Sequence, residues 1–311
     1  MLVRRLQSEA KSRSKGGFSL LELLTVVALI GILAALLVPA LNRAKITGSA
    51  VRCLQQKQQL GIAFQMYVQD NDDRIVPNMT GVNANQPSLQ SASDSSPRYS
   101  WSGGWLDYSQ SPLNTNTSIL IRHDPNRGMF GGMLGNYIKD ARIFRCPEDR
   151  STVTLIGKKI PRARSVSMNY LVDGSSRTAI PRNSPDQLLA VNSGYLVHRR
   201  MSDFRLLSPS RAWTMLDEHA DSINDGVFLV DVANRAQVDD WVGAYHRNGT
   251  GVAFADGHTE MHVWKTRAKA FGDPAIVQPV TQMTPTSVSL SNPDVAADWK
   301  WLLDRTGVRQ P

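Results

Sequence analysis

The stretch that decides the fold is residues 16–41, which read GGFSLLELLTVVALIGILAALLVPAL. From Phe18 to Leu41 the chain has 24 residues and a single charged side chain, Glu22. A hydrophobic helix needs about 20 residues to cross a bilayer, and Leu, Ile, Val and Ala suit a helix whose backbone hydrogen bonds all close within the segment. The stretch therefore predicts a membrane-spanning helix that contains one acid, and an acid in that setting usually marks a function.

A short basic leader precedes this helix. Residues 1–17 contain five basic side chains and one acid, and they end in Gly17, directly before Phe18. The sequence GFSLLE at residues 17–22 resembles the processing and methylation motif of type IV pilins and type II secretion pseudopilins. Pro39, the twenty-second residue counted from Phe18, is similar to a helix-breaking proline that is common in these proteins.

The resemblance implies a processing pathway for a structural subunit rather than an enzyme. A prepilin peptidase would cut between Gly17 and Phe18, the new amine of Phe18 would be methylated, and Glu22 would take part in filament assembly. The implied partners are the prepilin peptidase/methyltransferase, other pilin or pseudopilin subunits, and the secretion or pilus assembly machinery of the inner membrane.

The role of Glu22 also has a physical rationale. Two unit charges about 4 Å apart attract by roughly 4 kcal/mol at an effective dielectric constant near 20. Cleavage after Gly17 would leave an ammonium group at Phe18, about one helical turn from Glu22. Pairing of Glu22 with the Phe18 amine of a neighbouring subunit would therefore favour one axial register between subunits.

Two other interpretations of the N-terminus stay open at this level. A secretory signal peptide would be cut after residues 38–40, a poor cleavage site because of its proline, and an uncleaved anchor would keep Met1. Either would suit an exported, membrane-tethered or secreted binding module, for example one that contacts carbohydrate through Trp101 and Trp105. Tryptophans spaced by glycines are more often core or loop anchors.

The charge distribution predicts the orientation and argues against nucleic-acid binding. More basic residues precede the helix than follow it closely, so the positive-inside bias places the N-terminus in the cytoplasm and the body on the periplasmic or extracellular side. The formal charge is +8, but about half of it belongs to the leader. No basic stripe with interleaved aromatic residues appears in the sequence, so no nucleic-acid partner is expected.

An amphipathic pattern continues after Pro39 and predicts that the helix runs on to about Asp70, with a kink near the proline. One face of this segment repeats at steps of three and four residues: Ile46, Ala50, Cys53, Lys57, Leu60, Phe64 and Tyr67. The predicted fold class is α+β, with a long N-terminal α-helix, transmembrane in its first half, packed on an antiparallel β-sheet with loop insertions. That plan resembles the pilin fold.

The remaining elements are predicted from local patterns. A polar loop is expected over 78–100 and an irregular segment over 268–290. Alternation and turn signals predict a short helix over 129–139, strands at 165–172, 211–217 and 227–232, a hairpin over 251–264 with a two-residue Asp256-Gly257 turn, and a C-terminal helix that Asn292 caps and Pro293 begins.

One more resemblance lies near the C-terminus. His246, nine further residues and then Asp256-Gly257 resemble the H-X9-DG element of a large subfamily of pseudopilin-like proteins, and CPED at 146–149 and SMN at 167–169 fit that subfamily. No activity follows from the element. The predicted domains are a prepilin leader peptide (1–17), a transmembrane and assembly helix (18–41), the soluble half of that helix (42–77) and an extracytoplasmic globular domain (78–311) with H-X9-DG at 246–257.

The two cysteines, Cys53 and Cys146, are a possible disulfide if the body is exported into an oxidising space, and two separate buried thiols are an equal alternative. Cys53 lies on the inward stripe of the helix, where a loop of the body can reach it.

The sequence offers two candidate metal sites. An acidic segment offers oxygen ligands suited to calcium, and some pseudopilins bind calcium in a C-terminal loop, although an Asx-rich turn is the plainer interpretation. Its ligands would be Asp217, Glu218, Asp221, Asn224 and Asp225. His258, Glu260 and His262 share one face of a strand, with His246 as a further ligand, and so offer a transition-metal site, although a solvent-exposed polar face gives the same pattern.

The sequence contains no specific catalytic motif. GMFGGMLG at 128–135 lacks the Lys-Ser/Thr of a phosphate-binding loop. No G-x-S-x-G elbow occurs, and neither cysteine has a C-x-x-C partner. The sequence therefore predicts a structural subunit with no cofactor of its own.

Overall fold

The structure, a computed structural model, describes nine segments of the chain. These are residues 19–78, 100–124, 129–130, 132–173, 194–232, 237–238, 240–267, 286–287 and 289–309. The chain divides into two compact units, residues 1–47 and 48–311. The predicted loop at 78–100 and the predicted irregular segment at 268–290 fall mostly outside the described residues.

The described helices are one long helix, one short helix and one C-terminal helix, with four 3₁₀ turns. The α-helices are α1 (Leu20–Asp70), α2 (Ser118–Ile121) and α3 (Pro293–Thr306). The 3₁₀ turns are Pro112–Asn114, Met133–Asn136, Ala141–Phe144 and Met201–Asp203.

The described strands form one central sheet and three two-stranded ladders. They are β1 (His123–Asp124), β2 (Met129–Phe130), β3 (Thr152–Leu155), β4 (Lys158–Pro161), β5 (Val166–Asn169), β6 (Trp213–Asp217), β7 (Val227–Phe228), β8 (Gln237–Val238), β9 (Gly249–Phe254), β10 (Thr259–Val263) and β11 (Thr286–Ser287). The central sheet has the order β10-β9-β6-β5-β7, and the ladders are β1-β2, β3-β4 and β8-β11. The sheet is mixed, because β5 and β7 are parallel while its other pairs are antiparallel. The antiparallel sheet expected from the sequence therefore has one parallel pair, at its β7 edge.

The first unit contains the N-terminal part of α1, and the predicted membrane helix is confirmed as a helix. It begins at Leu20 and its helical backbone continues through Pro39. Its large apolar side chains are all exposed in the single chain, from 36% at Ile46 to 83% at Leu20. The helix is long and apolar enough to cross a membrane.

In the second unit, the C-terminal part of α1 packs on one face of the central sheet, and α3 packs on the other. Leu60 and Phe64 of α1 share a buried cluster with Met215 of β6. Trp299 of α3 shares a second cluster with Leu216 of β6, the residue next to Met215. The two clusters lie on opposite faces because neighbouring side chains of a strand alternate between them. The α+β fold with a long N-terminal helix packed on a sheet is therefore confirmed.

The C-terminal helix begins where the sequence predicted. The side-chain oxygen of Asn292 accepts hydrogen bonds from the backbone N–H groups of Asp294 and Val295, and Pro293 occupies the first helical position. The cap supplies an acceptor for donors that have no partner within the helix, and proline lacks one such donor anyway.

The hairpin of β9 and β10 is confirmed, but its turn differs from the prediction. Thr259 pairs with Ala253, and the N–H of Gly257 donates to the carbonyl of Phe254 at 3.0 Å. Of the Asp256-Gly257 pair, Gly257 has positive φ (91°) and Asp256 does not. A four-residue loop with glycine in the left-handed region therefore replaces the two-residue turn, in which both positions would have positive φ.

Two predicted elements are shorter or different in the structure. The predicted helix at 129–139 is instead β2 followed by the 3₁₀ turn Met133–Asn136. A Cβ at Gly135 would lie 2.5 Å from the Ile121 backbone, so this turn packs too closely on α2 for any larger residue. The strand predicted at 227–232 ends at Phe228, because the next N–H, of Leu229, donates to the Asp240 carboxylate at 2.6 Å.

Candidate functional site

The first candidate site is the N-terminus of α1, where Glu22 has a defined place. Its Oε2 accepts a hydrogen bond from the Ser19 N–H at 2.9 Å, and the Ser19 hydroxyl oxygen accepts one from the Leu21 N–H at 3.2 Å. These two bonds form a capping box in which the Ser19 hydroxyl bonds the second rather than the third helical N–H, and Ser-x-x-Glu is its sequence signature. That spacing was present in the sequence and predicts this local role of Glu22, which the assembly hypothesis alone did not include.

Cleavage between Gly17 and Phe18 would leave this capping box intact, because the Ser19 N–H remains an amide in the shortened chain. Gly17 and Phe18 themselves lie outside the described residues. Cleavage, methylation of Phe18 and the assembly role of Glu22 thus stay predictions.

The second candidate site is a group of polar side chains buried between α1 and the central sheet of the second unit. Lys57 Nζ lies 2.7 Å from Asp217 Oδ1, and both side chains are fully buried. The Cys53 thiol, one helical turn before Lys57, donates to Asp217 Oδ2 at 3.1 Å. The Ser165 hydroxyl donates to Asp217 Oδ1 at 2.9 Å, so three neighbours converge on one carboxylate.

Two more chemistry-bearing side chains complete this buried cluster. Cys146 Sγ lies 3.1 Å from His246 Nε2. The Cys146 N–H donates to the Ser165 hydroxyl at 2.7 Å, which connects it to the carboxylate network. The ligand atoms of Cys53, Cys146 and His246 all lie within 4.8 Å of one another. The structure therefore brings together the two cysteines named from the sequence and the first residue of the predicted H-X9-DG element.

The two cysteines are free thiols in the structure, and both are buried. Their disulfide stays a prediction.

Local backbone geometry explains how His246 and β9 reach the cluster. His246 and Gly249 exchange both backbone hydrogen bonds, at 3.0 and 3.1 Å, around Arg247 and Asn248, which have φ of 52° and 71°. Positive φ at both central positions is the type I′ geometry, and this tight turn leads directly into β9. A Cβ at Gly251, two residues into β9, would lie 2.8 Å from Cys53 Sγ, so glycine makes room for the cluster.

The buried charges determine the protonation of this cluster. Burial by itself would lower the pKa of Lys57, but the Asp217 carboxylate raises it above its usual value, so the ammonium stays charged. A hydrogen bond from the Cys146 thiol, together with the charge of Lys57, lowers the pKa of Cys53 although burial opposes this. Burial raises the pKa of Asp217. The Lys57 ammonium therefore faces the Asp217 carboxylate, to which the Cys53 thiol also donates.

The side-chain oxygens of the acidic segment 217–225 do not converge on one point, as a calcium site would require. Its first carboxylate, Asp217, belongs to the buried ion pair. Asp221 accepts a hydrogen bond from the Tyr108 hydroxyl at 3.1 Å, and Asp225 accepts one from a backbone N–H at 2.8 Å. Within the segments that the structure describes, these oxygens have separate partners instead of one shared centre.

The histidines of β10 do not gather into a metal site either, which corrects that alternative. The ring of His258 stacks on Phe254 with a centroid distance of 4.3 Å, and that of His262 stacks on Trp301 at 3.7 Å. His246 faces Cys146 instead. Over the described residues, the one group of three or more potential ligands within reach of each other is the Cys53, Cys146 and His246 cluster.

The packing of His262 predicts a contribution to acid sensitivity. Burial, with the nearby charge of Arg305, lowers the pKa of His262 to about 4, whereas an unfolded histidine has a pKa of about 6.5. Between these values the unfolded chain binds more protons than the folded chain, so stability falls as the pH falls through this window.

The variant His262→Gln should therefore gain melting temperature relative to the native chain when both are moved from pH 7.5 to pH 5. Thermal unfolding of the two full-length chains in the same detergent measures this difference. The other titrating groups are the same in both chains, so their effects cancel in the difference between the two melting temperatures. If the difference in melting temperature between the two chains were the same at both pH values, the lowered pKa of His262 would be contradicted.

The tryptophans considered for carbohydrate binding take different positions. Trp101 is fully buried, its indole N–H donates to the Gly226 carbonyl at 2.8 Å, and its ring stacks on Phe144. Trp105 is half-buried. A sugar platform needs exposed ring faces, so Trp101 is a core residue rather than a ligand contact.

Comparison with known proteins adds one finding to this geometry. A family model described as the prokaryotic N-terminal methylation motif matches residues 12–38, which include the beginning of α1 and its capping box. No curated protein and no solved structure gives a significant match. Proteins with this motif are structural rather than catalytic. Residues 12–38 thus carry the N-terminal methylation motif of prepilins, and in this segment the chain is similar to type IV pilins.

Proposed function

We propose that this chain is a structural subunit that polymerises into a type II secretion pseudopilus or a type IV pilus-like filament. The observation that carries the proposal is the methylation motif at residues 12–38 on a helix whose apolar side chains are exposed. Prepilin peptidase cuts between Gly17 and Phe18, and Phe18 is then N-methylated. Gly17 and Phe18 thus act as substrate positions, and the chain itself is not an enzyme.

The exposed surface of α1 supports polymerisation. Apolar side chains along one whole helix are stable either in lipid or against the helices of other subunits. The same surface therefore serves twice: it holds the newly made subunit in the membrane, and it packs against neighbouring subunits in the filament. Removal of the basic leader lowers the charge that would keep the N-terminus at the cytoplasmic surface.

The proposed location is the inner membrane, with a single pass, the N-terminus in the cytoplasm and the body in the periplasm or outside the cell. The positive-inside bias of the leader supports this orientation. The proposed partners are prepilin peptidase, other pilin or pseudopilin subunits and the assembly machinery. The competing candidate, a secreted carbohydrate-binding module, loses support because one of its two proposed contact residues, Trp101, is buried in the core.

Polymerisation is tested by fractionating cells that have or lack an active prepilin peptidase. Filaments are sheared from the cells, collected by ultracentrifugation and examined by electron microscopy. The chain is expected in the filament fraction of cells with the peptidase, as a ladder of oligomers after brief cross-linking. In cells without the peptidase it is expected in the membrane fraction alone. A soluble monomer in the medium, in equal amount from both cell types, would contradict the proposal and favour the secreted module.

A further inference from the structure

The buried cluster between α1 and the central sheet lies outside the proposed processing and assembly sites, and its side chains have the chemistry of a metal site. Its ligand atoms are two thiol sulfurs and one imidazole nitrogen, all within 4.8 Å of one another. Zinc binds sulfur at about 2.3 Å and nitrogen at about 2.0–2.1 Å, so tetrahedral ligand atoms lie roughly 3.5–3.8 Å apart. Shifts of a few tenths of an ångström would open the 3.1 Å contact between Cys146 Sγ and His246 Nε2 to that spacing.

The nearest further ligand is the Asp217 carboxylate, which lies beside the sulfur of Cys53 but outside the group of three ligand atoms. Asp217 Oδ1 accepts hydrogen bonds from Lys57 at 2.7 Å and Ser165 at 2.9 Å, while Oδ2 accepts from the Cys53 thiol at 3.1 Å. A metal ion displaces the thiol proton when it binds cysteine. Oδ2 then loses its donor, and a shift of the carboxylate towards the ion would let it bind as the fourth ligand, while Lys57 and Ser165 continue to hold Oδ1.

The charges of the group balance with a divalent ion in the centre. Two thiolates neutralise the ion, the imidazole is neutral, and the Asp217 carboxylate is paired with Lys57. An uncompensated charge in a protein interior is costly, and this set has none. Lys57 and Ser165 would not bind the ion themselves, but their hydrogen bonds would orient the carboxylate that does.

We propose that Cys53, Cys146, His246 and Asp217 bind one zinc ion that fastens α1 to the body of the second unit. Thiolate, imidazole and carboxylate ligands suit zinc, and thiolates disfavour magnesium and calcium. The four residues come from α1, the segment after the third 3₁₀ turn, the end of β6 and the turn before β9. All four are buried, so the site is closed and structural rather than catalytic. The inference does not depend on the proposed function.

The test is metal analysis of the full-length, untagged chain, purified in detergent without chelators. We expect about one zinc per chain and two free thiols after denaturation. The variants Cys53→Ser, Cys146→Ser and His246→Gln should lose the zinc. His258→Gln is the matched control, because it changes an exposed histidine of the neighbouring hairpin, and it should keep the zinc.

A second measurement covers the case in which the variants fail to fold. The native chain is unfolded, stripped of metal with a chelator and refolded with cobalt(II). Absorption from thiolate-to-cobalt charge transfer is expected, together with a melting temperature above that of the metal-free chain.

Two outcomes would overturn the proposal. One is a native chain without metal and lighter by two hydrogen atoms, which would show a Cys53–Cys146 disulfide. The other is a metal-free chain with two free thiols and no cobalt absorption, which would leave the cluster as core packing.

Discussion

Replacing Lys57 with methionine is expected to lower the free energy of unfolding of the second unit by about 3–5 kcal/mol. The ammonium and its partner Asp217 are both fully buried, 2.7 Å apart. Methionine keeps most of the volume but removes the cation, so the carboxylate stays buried with only the hydrogen bonds of Ser165 and Cys53. Denaturant unfolding of the full-length chains in the same detergent, followed by tryptophan fluorescence, measures the loss.

The chain offers a matched control for this loss. Lys300 and Asp304 on α3 form an ion pair of the same length, 2.7 Å, but the lysine side chain is 73% exposed. An exposed pair of this spacing is worth about 0.3–0.5 kcal/mol, so Lys300→Met should be nearly neutral. The double variant Lys57→Met/Asp217→Asn should be less destabilised than Lys57→Met alone, because it buries no unpaired charge. A Lys57→Met variant as mild as Lys300→Met would show that the buried pair does not stabilise the fold.

Replacing Glu22 with alanine is expected to abolish filament assembly while the chain still inserts into the membrane. The substitution removes the one charge within residues 18–41, which makes insertion more favourable. It also removes the proposed partner of the Phe18 amine in the neighbouring subunit. The measurement compares the variant and native chains in the membrane fraction and in the sheared filament fraction.

The capping box allows the charge of Glu22 to be separated from its local role. Glu22→Gln keeps an oxygen that can accept the hydrogen bond from the Ser19 N–H, but it has no charge, and it should fail to assemble. Ser19→Ala removes the hydroxyl of the capping box and keeps the carboxylate, and it should assemble. Filaments from Glu22→Gln together with none from Ser19→Ala would mean that helix capping, and not an ion pair between subunits, explains the need for Glu22.

The long helix and the C-terminal helix were predictable because their signals are local. Composition alone specifies an apolar segment such as residues 18–41, and the caps at Asn292 and Pro293 act within one turn. The β9–β10 hairpin was predictable for the same reason. The geometry of its turn could not be predicted, because Asp-Gly fits more than one kind of loop. Only the register of the two strands decides which loop forms.

The buried cluster was only partly predictable. Lys57 is a charge on the apolar stripe of α1, one turn after Cys53, and a buried lysine needs an acid to face it. The sequence does not say which acid, because Asp217 and His246 reach the cluster through strand pairing and a type I′ turn far along the chain. The calcium and histidine sites failed for the same reason: residues that are close in sequence were turned towards different partners by the fold.

The central claim is that the chain is processed as a prepilin, and the mass of its N-terminal peptide tests this most directly. The chain is isolated from its native membrane, digested and analysed by mass spectrometry. We expect a mature chain that starts at N-methylated Phe18, with residues 1–17 removed. A chain that starts at Leu41, as after a signal-peptidase cut, or an unprocessed chain that starts at Met1, would contradict the claim.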